Sequence, residues 1–435
     1  MLFSNVITYN CVPASTYLIY SGCLMHYLSS YYICFCISYN NEGSVNNTRS
    51  QFYIIVRYAV YRVQAHNAAQ MDTLNEMGAA IGVDFWQRGT TATPARVMLS
   101  PQQRDALLPQ LTAEHITYHI EIDDVARYNL QLIQYVNEYI EELAQRHPDK
   151  VTLVTIGNSY ENRPIKYLKL STSGFTDSRK PIFFLDAMIH AREWVTTPTV
   201  LYALDRLLDN PTEEDAWLLE NVDWLILPIV NPDGYVYSHT TDRMWRRTRS
   251  VNTFVETDCL GVDGNRNFDI NWNTTGVSQE PCDQTYPGGE PFSEPETRYV
   301  RDLIHEHIDR MYFYMNIHSH GNFVLYPYGN GENPENAMMM HFVGAAMGAA
   351  MDANKLPEAG FYLVGNSALM LYGTSGSAQD YAAKQGVPLS YTLELPGYGY
   401  GFQVPPAFIN HINMETWHGL AVAARLTKML YDKNH

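Results

Sequence analysis

The apolar positions of this chain change their period along its length, and each change marks an element. Short continuous apolar runs, of the kind a strand covered on both faces needs, occur at Ile182–Ile189, Trp224–Val230, Met311–Ile317 and Leu389–Leu395. Between them, apolar residues recur at helical spacing over Pro198–Leu208, Pro295–Ile308, Ala337–Asn354 and Ser377–Lys384. Upstream, Leu130–Gln145 reads as an amphipathic helix. Val151–Ile156 and Ile165–Leu170 flank a Gly-Asn-Ser turn signal and read as a hairpin. Strands alternating with helices predict an α/β domain, with a mixed, mostly parallel sheet flanked by helices on both faces.

A different rhythm precedes it. Tyr53–Val63 is strand-like, Ala68–Ala80 helical, Asp84–Trp86 and Ala95–Leu99 strand-like, Gln102–Leu111 helical, and Ile116–Ile122 alternates as a strand. Ser100-Pro101 supplies an N-cap and a first-turn proline for the second helix. The order β-α-β-β-α-β is that of a small ferredoxin-like α+β unit. His115 and His119 are spaced as HxxxH, but on a strand they are exposed or packing residues rather than ligands.

Length and charge narrow the picture. At 435 residues the chain exceeds one average domain. Its net charge of −17 provides no electrostatic footprint for nucleic acid or an anionic membrane. The ferredoxin-like unit also lacks the aromatic-glycine signature of RNA binders. Residues 1–41 hold no Asp, Glu, Lys or Arg, and no stretch there is apolar enough to span a membrane. Without a positive first region they read as an atypical leader, poorly packed or a degraded secretion signal. Of six Cys, only Cys259 and Cys282 lie in the large domain, where they could form a disulfide if the protein is secreted. No CxxC pair is present, which argues against a cysteine zinc knuckle. Sequons at Asn46 and Asn273 add only weak support for secretion.

Chemistry collects where the predicted strands end. Ile182–Ile189 delivers His190 and Glu193, Met311–Ile317 delivers His318, and Leu389–Leu393 delivers Glu394. Parallel neighbours would bring all four to one sheet edge, where ligands bind in open α/β sheets. Two His and one Glu form a catalytic zinc set that leaves a position for water, and a further carboxylate suits a general base. An HxxE pair alone arises by chance; its company gives it meaning. The cations Arg243, Arg246, Arg247 and Arg249, followed by Asn265 and Arg266, stand out in an acidic chain as an anion site.

These residues sit in HARE, NPDGY, RMWRRTRS, GVDGNRNFD, IHSH, YPYG, LYGTSGSAQDYA and YTLELPGYGYGF. Through these motifs, from about Tyr53 onward, the chain resembles the zinc metallocarboxypeptidases of the pancreatic carboxypeptidase A/B type. The resemblance implies an eight-stranded-type twisted sheet and one zinc per chain on His190, Glu193 and His318. It implies Glu394 as general base, Arg246 as oxyanion partner, and Asp263 behind His190. Asn265, Arg266 and Tyr372 would hold the C-terminal carboxylate of a peptide. Arg192, His320 and Phe402 align with outer subsites, and Gly329, Ser367, Thr374 and Gln379 with the pocket for the departing residue. Cys259 and Cys282 match the family's disulfide.

The resemblance divides the chain into a leader (1–52), an inhibitory prosegment (53–125) and a catalytic domain (127–435). The connector is shorter than the family's, and Arg127 is the remaining candidate for cleavage by a trypsin-like protease. The expected product is a monomeric, secreted zymogen, in a digestive lumen for instance, that acts on peptide C-termini. Gln379 carries no charge to match a basic residue, so the expected preference is for neutral ones. The competing readings are a catalytically silent binding protein and an amidohydrolase of small acyl-amino acids.

Overall fold

A computed structural model of the chain describes residues 17–20, 23–28, 31–36, 53–56, 59–122 and 125–434. The chain divides into two compact units, 1–128 and 129–435. The expected site at Asn46 lies outside the described residues.

In the first unit, β1 (Tyr17–Tyr20), β2 (Cys23–Leu28), β3 (Tyr31–Cys36) and β4 (Tyr53–Val56) form an antiparallel sheet in chain order. There follow β5 (Ala59–Gln64), α1 (Ala68–Ala80), β6 (Asp84–Gln87), β7 (Ala95–Leu99), α2 (Pro101–Ala113) and β8 (Thr117–Ile122). These strands form a second antiparallel sheet in the order β6-β7-β5-β8. The β-α-β-β-α-β order expected from the sequence is therefore present. Asn67 caps α1 through its side chain, and Ser100 with Gln103 forms a capping box at α2. Tyr61, Val63, Leu74, Val97, Leu99, Leu107 and Leu111 pack together as this unit's core.

The strand expected over Tyr53–Val63 is two strands in two sheets. β5 pairs with β7 and β8 only from Ala59 onward, while β4 pairs with β3. The available partners, not the propensity of the run, set its limits. His115 and His119 are both exposed, and His115 takes a positive φ of 55° just before β8.

Helix α3 (Val125–Arg146) includes Arg127. The second unit continues with β9 (Val151–Asn158), β10 (Pro164–Leu170), β11 (Ile182–Ala187), α4 (Thr196–Leu208), α5 (Glu213–Asn221), β12 (Asp223–Leu227) and α6 (Pro232–Thr240). Then come α7 (Pro295–His307), β13 (Met311–Ser319), β14 (Phe323–Tyr326), α8 (Ala337–Asp352) and β15 (Leu363–Asn366). The last elements are α9 (Ser367–Met370), α10 (Ala378–Gln385), β16 (Leu389–Leu395) and α11 (Pro406–Asn434).

Its eight strands form one mixed sheet, ordered β15-β14-β16-β13-β11-β12-β10-β9. The centre, β16-β13-β11-β12, is parallel, so these strands share one carboxyl edge. Alternate residues face two separate cores. Phe183, Leu185, Phe313, Met315 and Leu393 pack on one side, with Leu204 of α4 and Leu420 of α11. Phe184 and Tyr314 pack on the other, with Leu303 of α7 and Tyr381 of α10. Burial on both faces is why these strands read as mostly apolar runs, with few polar residues inside them.

Several elements were not expected: β14, β15, α5, α6, α9 and α11. Most are short, but α11 had a legible signal. Its buried residues Ile412, Thr416, Leu420, Ala423, Thr427 and Tyr431 recur at helical spacing.

Candidate active site

The parallel centre of the sheet explains how the site is assembled. β11 ends at Ala187, two residues before the end of the apolar run, because Met188 turns to a φ of 62°. The chain then forms a turn that Asn231 holds in place. Asn231 Nδ2 donates to Ile189 O (3.1 Å) and Arg247 O (3.0 Å), while its Oδ1 accepts from Gly234 N and caps α6. The NPDGY motif is thus a clamp on the turn that carries His190 and Glu193. His318 lies within β13, directly opposite Glu394 on β16.

Three side chains from these elements converge in the interior. His190 Nδ1 lies 2.8 Å from Glu193 Oε1, and His318 Nδ1 lies 3.0 Å from both Glu193 Oε2 and His190 Nδ1. Among the described residues, His190, Glu193 and His318 are the one group whose His, Cys, Asp or Glu ligand atoms gather this way, all within 4.8 Å of one another. The outer ring nitrogens are also engaged. His190 Nε2 faces Asp263 Oδ1 at 3.0 Å, and His318 Nε2 faces Asn316 Oδ1. Asp263 Oδ2 accepts from Arg246 Nε at 2.9 Å. Two imidazole nitrogens and a carboxylate aimed at a common centre are a donor set that fits zinc. The carboxylates and amides behind them fix ring orientation, as outer partners of metal-binding histidines do.

The electrostatics separate the two glutamates. Burial opposes ionisation of Glu193, but His190 and His318 facing it outweigh that and hold its carboxyl below the usual range. Burial, reinforced by the negative charge of Glu193, holds the Glu394 carboxyl well above that range. Glu394 Oε2 has no hydrogen-bond partner among the described residues.

A cavity opens beside this cluster. His190, His318, Glu394, Arg246, Asn265 and Arg266 line its polar side. Asn265 and Arg266 sit on a short 3₁₀ turn that Asp263 starts by accepting from Asn265 N at 3.0 Å. Arg266 Nε donates to Gly276 O (2.9 Å) and Nη1 to Asn265 O (2.8 Å), which leaves Nη2 uncommitted among the described residues. Tyr372 lines the same cavity and is 57% exposed.

The cavity's remaining wall carries Ser367, Thr374 and Gln379, together with Leu325, Leu371, Ser377 and Thr392, which the sequence reading did not identify. Ser367 Oγ, Gln379 Oε1 and Thr392 Oγ1 are buried without a hydrogen-bond partner among the described residues. Gly329 lies just beneath. Its N–H donates to Asp380 Oδ2 at 2.7 Å, and a Cβ there would collide with Thr374 Oγ1.

Arg192 does not line this cavity. It donates to Gln284 Oε1 at 2.7 Å and lies 4.3 Å above the Phe402 ring, against which His320 packs edge-on at 4.7 Å. The basic cluster is not one anion site either. Arg243 stacks on Trp194 at 3.6 Å, Arg249 stacks on Tyr237 at 3.6 Å, and Arg247 donates to Gly261 O at 3.3 Å. Only Arg246 of the four reaches the cavity. The others are committed to packing this loop region, which the Cys259–Cys282 disulfide closes with a Cα–Cα distance of 5.1 Å.

The Zinc carboxypeptidase family matches residues 136–419, and the Carboxypeptidase activation peptide family matches residues 61–128. The chain is 41% identical to a carboxypeptidase B of Helicoverpa zea, over 86% of this chain and 94% of that one. It is 33% identical to mouse (Mus musculus) carboxypeptidase A2, over 83% of this chain and 91% of that one. It is 38% identical to human carboxypeptidase O, over 65% and 74% respectively. Among solved structures, the carboxypeptidase A of Helicoverpa armigera superposes with a TM-score of 0.66 at 37% identity, covering 86% of this chain and 98% of that one. The chain belongs to the zinc carboxypeptidase family and carries that family's activation peptide ahead of its catalytic domain.

Proposed function

We propose that this chain is secreted as a zymogen and, once cleaved, releases single neutral amino acids from the C-termini of peptides. One observation carries the reading: His190, Glu193 and His318 converge beside a cavity that also receives Glu394, Arg246 and Arg266. One zinc per chain would be held by His190 Nδ1, Glu193 and His318 Nδ1. When bound, the ion acidifies a water molecule and polarises a carbonyl.

The protein groups divide the remaining work. Glu394 takes the proton of the attacking water and returns it to the leaving amine. Arg246, steadied by Asp263, meets the charge that develops on the scissile oxygen. Asn265, Arg266 and Tyr372 hold the free carboxylate, which restricts attack to the last peptide bond. Gln379, Ser367 and Thr374 surround the departing side chain. None is charged, so a Lys or Arg cation would be desolvated without a counter-charge.

The prosegment would extend to Arg127. The activation-peptide match ends at residue 128, and the second compact unit starts at residue 129. Cleavage by a trypsin-like protease at Arg127 fits both. The Cys259–Cys282 disulfide supports an oxidising, extracellular destination. No described helix is long and apolar enough to cross a membrane. The enzyme would act as a monomer.

The deciding experiment measures zinc content and hydrolysis of blocked dipeptides before and after mild trypsin. The reading expects one zinc per chain and activity that rises on cleavage, with Phe, Leu and Gln substrates ahead of Arg. Stoichiometric zinc with no release of C-terminal residues would favour a binding protein. A higher kcat/KM for Arg than for Phe and Leu would overturn the neutral preference.

A further inference from the structure

The sequon Asn273-Thr274-Thr275 takes no part in the chemistry above, yet it stands on a loop that braces the site. Arg266 Nε donates to Gly276 O at 2.9 Å. Thr274 N and Thr275 N each donate to Ser375 Oγ at 3.2 Å, and Ser375 Oγ donates to Thr275 O at 2.9 Å. Thr274 Oγ1 donates back to Asn271 O at 2.6 Å. The turn is therefore held through its backbone and one hydroxyl, with no call on the Asn273 amide nitrogen. Thr274, Thr275 and Gly276 are exposed, and Asn273 is half-buried.

One end of the Asn273 amide is engaged and the other is open. A φ of 61° puts this residue in the left-handed region, where Asn is enriched. Gln279 Nε2 donates to Asn273 Oδ1. Asn273 Nδ2 has no hydrogen-bond partner among the described residues and, unlike Ser367 Oγ or Gln379 Oε1, is not enclosed by the protein. The asparagines just upstream differ. Asn267 Nδ2 is buried and donates to Pro287 O at 2.8 Å, and Asn265 Nδ2 is buried 3.4 Å from His318 Nε2.

We propose that Asn273 is a modification site that carries an N-linked oligosaccharide. The inference rests on the secretory part of the proposed function, because the sugar donor and its transferase are met on entry to that pathway. The donor class is an oligosaccharide joined through its anomeric carbon to a polyprenyl diphosphate. Asn273 Nδ2 bonds to that carbon. The carbon–oxygen bond to the diphosphate breaks, its electron pair leaves with the polyprenyl diphosphate, and one Nδ2 proton passes to a base of the transferase. Thr275 supplies the hydroxyl that marks the acceptor two residues on, and the residue between is not Pro.

The folded loop accommodates the product at no cost in hydrogen bonds. The bond replaces a hydrogen that no described protein atom uses. The linked amide stays neutral and keeps Oδ1, which still accepts from Gln279. A bulky, solubilising group is thereby attached to the loop whose Gly276 carbonyl holds Arg266.

The test expresses the full chain in eukaryotic cells twice, once with its own N-terminus and once behind a supplied secretion signal. Residues 267–297 contain no Lys or Arg, so after reduction trypsin releases Asn267–Arg298, in which Asn273 heads the one sequon. Treatment with a peptide-N-glycosidase converts a glycosylated Asn to Asp, and most copies of this peptide are expected to show that mass signature at position 273. Thr274→Ala should keep the signature, while Thr275→Ala and Asn273→Gln should lose it. Transfer precedes folding, so cells and medium are both read and a variant that is retained still answers.

An unmodified Asn273 in most copies of the parent behind the supplied signal would overturn the proposal. So would a signature that survives Thr275→Ala, which marks spontaneous deamidation. Failure of the chain to enter the pathway with its own N-terminus refutes the secretory reading, while the supplied-signal arm still decides the site.

Discussion

Around His190, Glu193 and His318 every side-chain nitrogen and oxygen has a protein partner. In the adjoining cavity, Ser367 Oγ, Gln379 Oε1 and Thr392 Oγ1 have none among the described residues. The two regions share walls but follow opposite rules. In the cluster, each ring nitrogen is fixed by a carboxylate or an amide, so the geometry exists before any ligand arrives. In the cavity, buried polar atoms remain unsatisfied, which carries a desolvation cost until a bound group supplies the missing hydrogen bonds. Pre-organisation is suited to chemistry that is the same for every substrate. Unsatisfied acceptors are suited to choosing among substrates, because a side chain that cannot pair with them leaves them buried and unpaired.

Substitutions on each side should separate these two behaviours. The largest effect is expected from Glu394→Gln, which keeps shape and removes the base: kcat/KM should fall ~10²- to 10⁴-fold, with zinc content unchanged in metal analysis. Activity within tenfold of the parent would remove Glu394 from the chemistry. Asp263→Asn should weaken zinc about 10- to 100-fold in chelator competition, because it alters the partner of His190 and the anchor of Arg246. If zinc affinity is untouched, the cluster is less dependent on its surroundings than the hydrogen bonds suggest.

On the cavity side, Gln379→Leu should move preference rather than rate. The ratio of kcat/KM for C-terminal Gln over Leu substrates should drop about 10-fold, with the rate on the better substrate kept. A parallel fall on all substrates would place Gln379 with the catalytic cluster instead. The smallest effect on activity is expected from Cys282→Ser. Opening the Cys259–Cys282 loop should cost about 3 kcal/mol of stability, read as a lower denaturant midpoint, while activity per folded molecule is preserved.

Much of the cluster was legible because strand ends announce themselves. His190, His318 and Glu394 each follow an apolar run, and parallel order predicts that such ends meet. Asp186 and Asn316 were equally visible as polar residues inside apolar runs, but a lone polar residue in a strand does not reveal its partner. That depends on register, which pairs Asp186 with Asn316 across two strands distant in sequence. The arginines of RMWRRTRS failed for the opposite reason. Four cations close in sequence suggested one anion site, yet Trp194 and Tyr237, brought in by folding, took two of them for stacking.

The amino-acid sequence alone determined the alternation of buried strands and helices, the ferredoxin-like order of the leading unit, and the residue types able to bind a metal. Those properties follow from local periodicity and side-chain chemistry, which the chain carries at every position. Only the tertiary structure decided which ring nitrogens point inward, that Asn231 clamps the His190 turn, that one arginine of four reaches the cavity, and that Ser367 Oγ, Gln379 Oε1 and Thr392 Oγ1 have no hydrogen-bond partner among the described residues. These depend on strand register and long-range packing, which bring together atoms that no local pattern relates.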